Sequence, residues 1–264
     1  MISITKRNDI PASLAAQRSY SEDDVVQALL EDSHNKCYIC EISAPTSINV
    51  EHFTEHRGVA SLKYDWFNLM YACTHCNSTK NDLFRKVPSD IIKCTDPQQH
   101  PDLWIEYRID ISQDLRAVAR ITQNPLENAP AYQQQIDNTL RLLNAVYNGS
   151  GSPIRSQEAT NLLYKVVKAT KDFQQLLFQY LTCKEPRKKL QLRIKIKNEL
   201  DVSSEFTAFK RWIVRDLGQE QESLTRFDKR KGNNTNRKKK KKTVAPNRDN
   251  NREESKPKTP KEMM

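Results

Sequence analysis

The sequence lacks any run of apolar residues long enough to cross a membrane. A membrane-spanning helix needs about 20 consecutive apolar residues, and no stretch of the 264 residues approaches that length. The segment from Met1 to Lys6 also lacks the apolar core of a secretory signal. We therefore expect a soluble cytoplasmic protein without a membrane partner. In such a reducing compartment, the six cysteines are more often metal ligands than disulfide partners.

Residues 1–228 have no excess of either charge. The formal net charge of the chain is +10, and residues 229–264 alone carry 14 basic and 4 acidic side chains. Apolar residues are sparse from about position 219, so we expect a disordered tail. Its cationic run should attract nucleic acid electrostatically, without reading sequence. The run consists of Arg237, Lys238, Lys239, Lys240, Lys241 and Lys242.

Four of the cysteines form two Cys-x-x-Cys pairs, Cys37 with Cys40 and Cys73 with Cys76. Each pair can grip one side of a tetrahedral ion, and the two pairs supply the four sulfurs of a closed structural Zn²⁺ site. The 32 residues between Cys40 and Cys73 exceed the gap of a simple zinc ribbon, which indicates a folded insertion between the pairs. His75, between two ligands, is expected to be exposed.

Apolar periodicity divides the chain into strands and helices. Two-residue alternation and short apolar runs predict two hairpins, the first followed by a helix. Helical spacing with start and stop signals predicts further helices. The predicted strands are residues 48–53, 66–72, 103–109 and 117–121, and the other predicted helices start at Ser21 or cover residues 136–147, 156–183 and 203–217.

The insertion between the cysteine pairs, with the residues just after it, contains side chains suited to phosphodiester hydrolysis. His52 is a candidate general base, because an imidazole with a pKa near 6.5 can accept a proton from water at neutral pH. Glu51 and Asn77 offer the oxygen ligands that Mg²⁺ or Mn²⁺ prefers. Neighbouring residues of a strand point to opposite faces, so a twist or bulge is needed for Glu51 and His52 to serve one site. Lys80 is a candidate phosphate contact.

Several segments closely resemble the HNH nuclease family. They are Lys36–Glu41, Glu51–Phe53, Trp66–Leu69 and Ala72–Lys80, and a weaker similarity extends over most of residues 20 to 217. The narrower resemblance is to the branch in retron-linked and Septu anti-phage systems, where the HNH subunit works beside an AAA/ABC-like ATPase. The resemblance implies His52 as base, Asn68 as the middle Asn of the motif, and Asn77 in its third position.

Taken together, these patterns predict an α+β protein in which a small ββα-metal HNH core with structural zinc knuckles is embedded in a mostly α-helical chain. Four regions are predicted: an N-terminal arm over residues 1–20, the zinc-stabilised nuclease domain with its β-hairpin over 21–125, a helical domain over 126–218, and the disordered basic tail over 219–264. The helical domain either packs on the core or docks a partner.

The predicted activity is metal-dependent hydrolysis of DNA by an effector subunit that works with an ATPase. Two departures from the family pattern matter: Asn77 replaces a His, and Glu55 stands where this branch usually has Pro, which leaves His56 as a second imidazole near the site. One alternative is a non-catalytic zinc module that binds nucleic acid or protein. Another is a stand-alone restriction-type HNH enzyme. The residues do not distinguish DNA from RNA, or single strands from double strands.

Overall fold

A computed structural model describes residues 1–127, 129–149 and 152–218. Its helices, in chain order, are α1 (Ala12–Ala15), α2 (Asp23–Asp32), α3 (Ala60–Lys63), α4 (Thr74–Phe84), α5 (Pro101–Trp104), α6 (Gln133–Asn148), α7 (Pro153–Thr182), α8 (Pro186–Glu199) and α9 (Thr207–Asp216). The strands are β1 (Ile48–His52), β2 (Leu69–Cys73), β3 (Ile105–Ile111) and β4 (Ala117–Gln123). Within these residues, no helix combines the length and the apolar character that crossing a membrane requires.

The first hairpin and its helix form a ββα unit, as the sequence predicts. Strands β1 and β2 pair antiparallel in a continuous register from Ile48 opposite Cys73 to His52 opposite Leu69. β2 is buried along its whole length, and α4 starts directly after it. Residues 66–68 form a 3-10 turn instead of strand, because the Asp65 carboxylate accepts the backbone N–H of Phe67 and caps the turn.

A second hairpin and the long helices complete the core. β3 and β4 pair antiparallel, and the turn falls at residues 112–116, where the sequence predicts it. The largest apolar cluster joins the Cys37–Cys40 segment to the hairpin and to helices α6, α7 and α9. It therefore contains residues from both sides of the predicted boundary between positions 125 and 126.

Three helix predictions differ from the structure. Ser21 does not cap α2, which starts at Asp23 after Glu22. α9 starts at Thr207 and not at Ser203, because Phe206 has a φ of 53° and interrupts the helical path. The sequence-based prediction ends the long helix near Cys183 and assigns no element until Ser203, whereas α8 occupies residues 186–199.

Lys6 fastens the N-terminal arm to the segment that carries Asn68. Its Nζ donates hydrogen bonds to the carbonyls of Trp66 and, at 2.6 Å, Leu69, and it lies 3.7 Å from the centre of the Trp66 ring. Burial lowers the pKa of the Lys6 ammonium from 10.5 to about 7, against an opposing contribution from Asp32. A neutral amine has two N–H donors, which matches the two carbonyls that it contacts.

This lowered pKa predicts a pH-dependent stability. Between about pH 7 and 10.5 the unfolded chain binds more protons at Lys6 than the folded chain does, so the free energy of unfolding should rise with pH across that window. Chemical denaturation at several pH values should show a flatter rise for Lys6→Met than for the wild type. Lys86→Met, at an exposed position, is the matched control. Equal slopes for wild type and Lys6→Met would contradict the assignment.

Candidate active site and metal centre

Four cysteine sulfurs converge between the ββα unit and the turn that follows α2. Cys37, Cys40, Cys73 and Cys76 are all buried, and their sulfurs lie within 4.8 Å of one another. The Sγ atoms of Cys40 and Cys73 are 3.8 Å apart. A tetrahedral Zn²⁺ with Zn–S bonds of about 2.3 Å places its sulfurs roughly 3.8 Å apart. The donor set and its spacing therefore fit a structural zinc ion.

The electrostatics of the cluster also favour a cation. Burial raises the pKa of the Cys40 and Cys76 thiols well above the usual value. Burial acts in the same direction on Cys37, but hydrogen bonds from the other three thiols outweigh it and lower the pKa of Cys37. A bound Zn²⁺ supplies the countercharge that four thiolates require.

His75 ties the cysteine cluster to the helical part of the chain. Its Nε2 is 2.9 Å from the carbonyl of Val146 on α6, and its Nδ1 is 3.0 Å from a carboxylate oxygen of Glu158 on α7. The side chain is only 11% exposed, so the expectation of an exposed residue is wrong. Its buried position holds α4, which carries Cys76 and Asn77, against α6 and α7.

His52 is the last residue of β1 and is half-buried. Its Nε2 lies 3.1 Å from the carbonyl oxygen of Lys63. Since a carbonyl only accepts hydrogen bonds, Nε2 carries the proton and Nδ1 keeps a lone pair. The ring is flanked by Tyr20 and His56, with ring centres 4.7 and 4.6 Å away. This surrounding fixes both the orientation and the tautomer of a candidate general base.

The charge state of His52 suits the same role. Burial lowers its pKa, and the neighbouring His56, Lys80 and Lys63 act in the same direction, while the hydrogen bond to the Lys63 carbonyl opposes them. The imidazole is therefore neutral at physiological pH and can accept a proton at Nδ1.

Glu51 and His52 leave β1 on opposite faces. The β1–β2 register contains no bulge, so a bulge does not bring these two side chains to one face. Glu51 is buried and points toward α4, where its Oε1 forms an ion pair with Lys80.

Lys80 is buried and does not lie at a surface where phosphate could reach it. Its ammonium donates to Glu51 Oε1, to the carbonyl of His52 at 2.8 Å and to that of Phe53 at 3.0 Å. These bonds use all three N–H donors. This placement differs from the sequence-based expectation of a phosphate contact. The other predicted nucleic-acid contacts, Arg237 and Lys238 to Lys242, lie outside the described residues.

Asn77 is half-buried on α4, one turn before Lys80 and on the same side of the helix. Its Oδ1 accepts a long, 3.4 Å hydrogen bond from Asn81. The amide oxygen therefore gives up little if it coordinates a cation.

Asn68 holds the loop that lies between His52 and β2. Its Oδ1 accepts the backbone N–H of Thr54 at 2.7 Å, and its Nδ2 donates to the carbonyls of Thr54 and Leu62, both at 2.9 Å. The side chain is 5% exposed. The amide contacts backbone and not the His52 ring. Its geometry is that of a positioning residue for the segment that supplies the Lys63 carbonyl.

Asn68→Ala is expected to loosen this loop. The substitution removes three hydrogen bonds to partly buried backbone groups, which should lower the free energy of unfolding by about 3 kcal/mol. The backbone amide hydrogens of residues 54–63 should exchange with solvent faster than in the wild type. Unfolding in urea should measure the loss of unfolding free energy. Asn81→Ala, at an exposed position on α4, should change neither. Unchanged exchange in Asn68→Ala would contradict the proposed clamp.

Sequence reasoning missed two contributors to the site. Tyr20 lies at the end of the predicted N-terminal arm, and no motif connects it with His52. The second contributor is the carbonyl of Lys63, a backbone atom that the identity of the side chain cannot reveal.

The comparison with protein families matches this same region. Residues 37–83 match the family model described as HNH endonuclease. The matched segment begins at the first zinc-site cysteine and ends one residue before the last residue of α4, so it contains all four cysteines, His52, Asn68 and Asn77. The searches of curated proteins and of solved structures returned no match. The match supports the HNH family for this segment and indicates nuclease activity in general.

Proposed function

We propose that the chain is a metal-dependent HNH endonuclease that hydrolyses phosphodiester bonds in DNA. The observation that carries the proposal is the geometry of His52 within the matched segment. Its Nε2–H bond to the Lys63 carbonyl leaves the Nδ1 lone pair for catalysis. Four clustered cysteines fasten the helix that carries Asn77 next to the same hairpin.

In the proposed reaction, Nδ1 of His52 removes a proton from a water molecule. The water oxygen attacks phosphorus, the bond between phosphorus and the 3′ oxygen breaks, and the departing 3′ oxygen takes up a proton from solvent. The hydrogen bond to Lys63 becomes stronger as the ring gains positive charge, because a charged donor bonds more strongly than a neutral one. Tyr20 and His56 restrict rotation of the ring, so the base is oriented before substrate binds.

The side chains near α4 offer oxygen atoms, which are the ligands that hard divalent cations prefer. Glu51 supplies a carboxylate and Asn77 an amide oxygen, and these two residues would hold the ion. A bound Mg²⁺ or Mn²⁺ would stabilise the charge that develops on the phosphate oxygens and on the departing 3′ oxygen.

We further propose that the nuclease is the effector of an anti-phage defence system and works with an ATPase subunit. This part rests on the resemblance to the Septu and retron-linked branch. Co-expression of the chain with an ATPase of that class, followed by size-exclusion chromatography, tests the partnership. Full activity of the isolated chain would favour a stand-alone restriction-type enzyme instead.

The activity is tested with the full chain, loaded with Zn²⁺ and supplied with Mg²⁺ or Mn²⁺, alone and with the ATPase. Duplex DNA, single-stranded DNA and RNA serve as separate substrates. We expect metal-dependent cleavage of DNA that Asn77→Ala reduces at least tenfold and that Asn198→Ala, at an exposed position on α8, leaves unchanged. DNA binding without cleavage under all these conditions would identify a non-catalytic zinc module.

A further inference from the structure

The ammonium of Lys80 lies in a cage of oxygen atoms at the end of β1. One ligand is the Glu51 carboxylate, and the other two are the carbonyls of His52 and Phe53, at 2.8 and 3.0 Å. Lys80 is 2% exposed and Glu51 7%. A buried charge is tolerated only when it is paired and fully hydrogen-bonded, and this cage meets both conditions.

A carboxylate and backbone carbonyls are also the ligands that hard divalent cations prefer. Asn77, one turn earlier on the same side of α4, adds an amide oxygen to this region. The lysine and a catalytic metal ion therefore draw on the same carboxylate.

The two cations should exclude each other for electrostatic reasons. Glu51 and Lys80 together carry no net charge, so the pair offers a divalent ion little attraction while the ammonium stays in place. An ion beside Glu51 would also be repelled by the ammonium at short range in a poorly hydrated site.

We infer that Lys80 is a resident internal cation that competes with the divalent metal ion for Glu51, so that metal loading requires the ammonium to leave its cage. The inference rests on the proposed function, because it concerns the metal ligand of that site. It gives the enzyme a metal-free state in which the buried carboxylate is already neutralised. Any event that displaces Lys80 would raise the affinity for the metal.

A different role for Lys80 predicts the opposite result. If the lysine permanently orients Glu51 and the metal uses the other carboxylate oxygen, removing the ammonium disorders the ligand and weakens metal binding. Competition predicts that the same removal strengthens metal binding.

The first test is a calorimetric titration of the zinc-loaded full chain with Mn²⁺. Lys80→Met should bind Mn²⁺ at least tenfold more tightly than the wild type, or bind it where the wild type shows no binding. The matched control Lys86→Met should behave as the wild type, and Glu51→Gln should abolish Mn²⁺ binding in both backgrounds. Unchanged or weaker binding by Lys80→Met, or no binding by either protein, overturns the inference.

A second measurement needs no substitution at Lys80. In lysine-selective NMR of the zinc-loaded wild type, the caged ammonium should show slowly exchanging protons, and a titration with Mg²⁺ should remove that signal. A signal that persists when Mg²⁺ is saturating overturns the competition even if Lys80→Met fails to fold.

Cleavage assays of the wild type and Lys80→Met distinguish failure of the proposed function from failure of the competition. If neither protein cleaves nucleic acid at any Mn²⁺ concentration, the proposed function fails. If both cleave with the same Mn²⁺ requirement, the nuclease stands and the competition fails.

Discussion

Removal of the zinc ion should unfold the ββα unit and abolish cleavage. The four sulfurs come from two distant places, the turn after α2 and the junction between β2 and α4. A structural zinc site contributes about 10–16 kcal/mol in small zinc-binding peptides, which is comparable to the whole stability of a typical domain, about 5–15 kcal/mol. A single hydrogen bond contributes only about 1 kcal/mol, so the hydrogen bonds of the described residues around the cysteines do not replace such a contribution.

The unfolding should extend beyond residues 37–83. The hydroxyl of Tyr147 on α6 donates to the carbonyl of Cys40 at 3.0 Å, and the Cys37–Cys40 segment belongs to the same apolar cluster as α6 and α9. Loss of the ion would remove the metal–sulfur bonds that hold this segment in place. Part of the main apolar core would then be exposed to solvent. We therefore expect a single cooperative transition at lower temperature, not a local change.

Cys40→Ser provides the sharpest form of this test. The zinc content by elemental analysis should fall well below one ion per chain, the thermal transition should shift down or disappear, and cleavage should be lost. Cys183→Ser is the matched control, because this thiol is only partly buried and lies outside the cluster. A Cys40→Ser protein with full zinc content and wild-type unfolding would refute the assignment of the four ligands.

The order and type of most elements could be predicted because their signals are local. Alternating residues before Phe53 and the apolar run before Cys73 predict a hairpin, and the second cysteine pair marks the start of the following helix. The cysteine spacing predicts the zinc site for the same reason. Two close pairs need only one long-range contact to complete a tetrahedron.

Helix α8 shows where local signals fail. Its apolar residues, Leu190, Leu192, Ile194 and Ile196, alternate with polar ones, which is the pattern of a strand and not of a helix. In the structure, Leu192 and Ile196 are buried against α7 while Leu190 and Ile194 are more than half exposed. The helix is stabilised by a narrow apolar stripe. This stripe contributes to stability only because α7 packs against it, and the local sequence of α8 does not reveal that contact.

The destinations of Lys80 and His75 could not be predicted for a related reason. The sequence correctly places both on the helix of the ββα unit. The partners of Lys80 are 27 to 29 positions away in the chain, and those of His75 are at least 71 positions away. A lysine beside a catalytic motif suggests a phosphate contact when the fold around it is unknown. Only the closure of α4 onto β1 shows that its three donors are already used.

His52→Ala is expected to reduce cleavage by about 10²–10⁴-fold, the range typical for loss of a general base. The reason is the fixed tautomer. Among the residues that the structure describes, His52 alone donates a ring N–H to the Lys63 carbonyl and keeps a nitrogen lone pair at the end of β1. Because the proton transfer occurs only in the transition state, kcat should fall while KM stays nearly constant. Single-turnover assays at saturating metal should measure the chemical step directly.

Metal binding and stability separate a base from a metal ligand. The His52 ring lies on the face of β1 opposite Glu51, so His52→Ala should leave the Mn²⁺ affinity within twofold of the wild type. The loss of one hydrogen bond to a carbonyl should cost only about 1 kcal/mol of folding free energy. His34→Ala, at an exposed position, should cleave like the wild type. Wild-type cleavage by His52→Ala, or a matching loss of Mn²⁺ binding, would show that His52 is not the base.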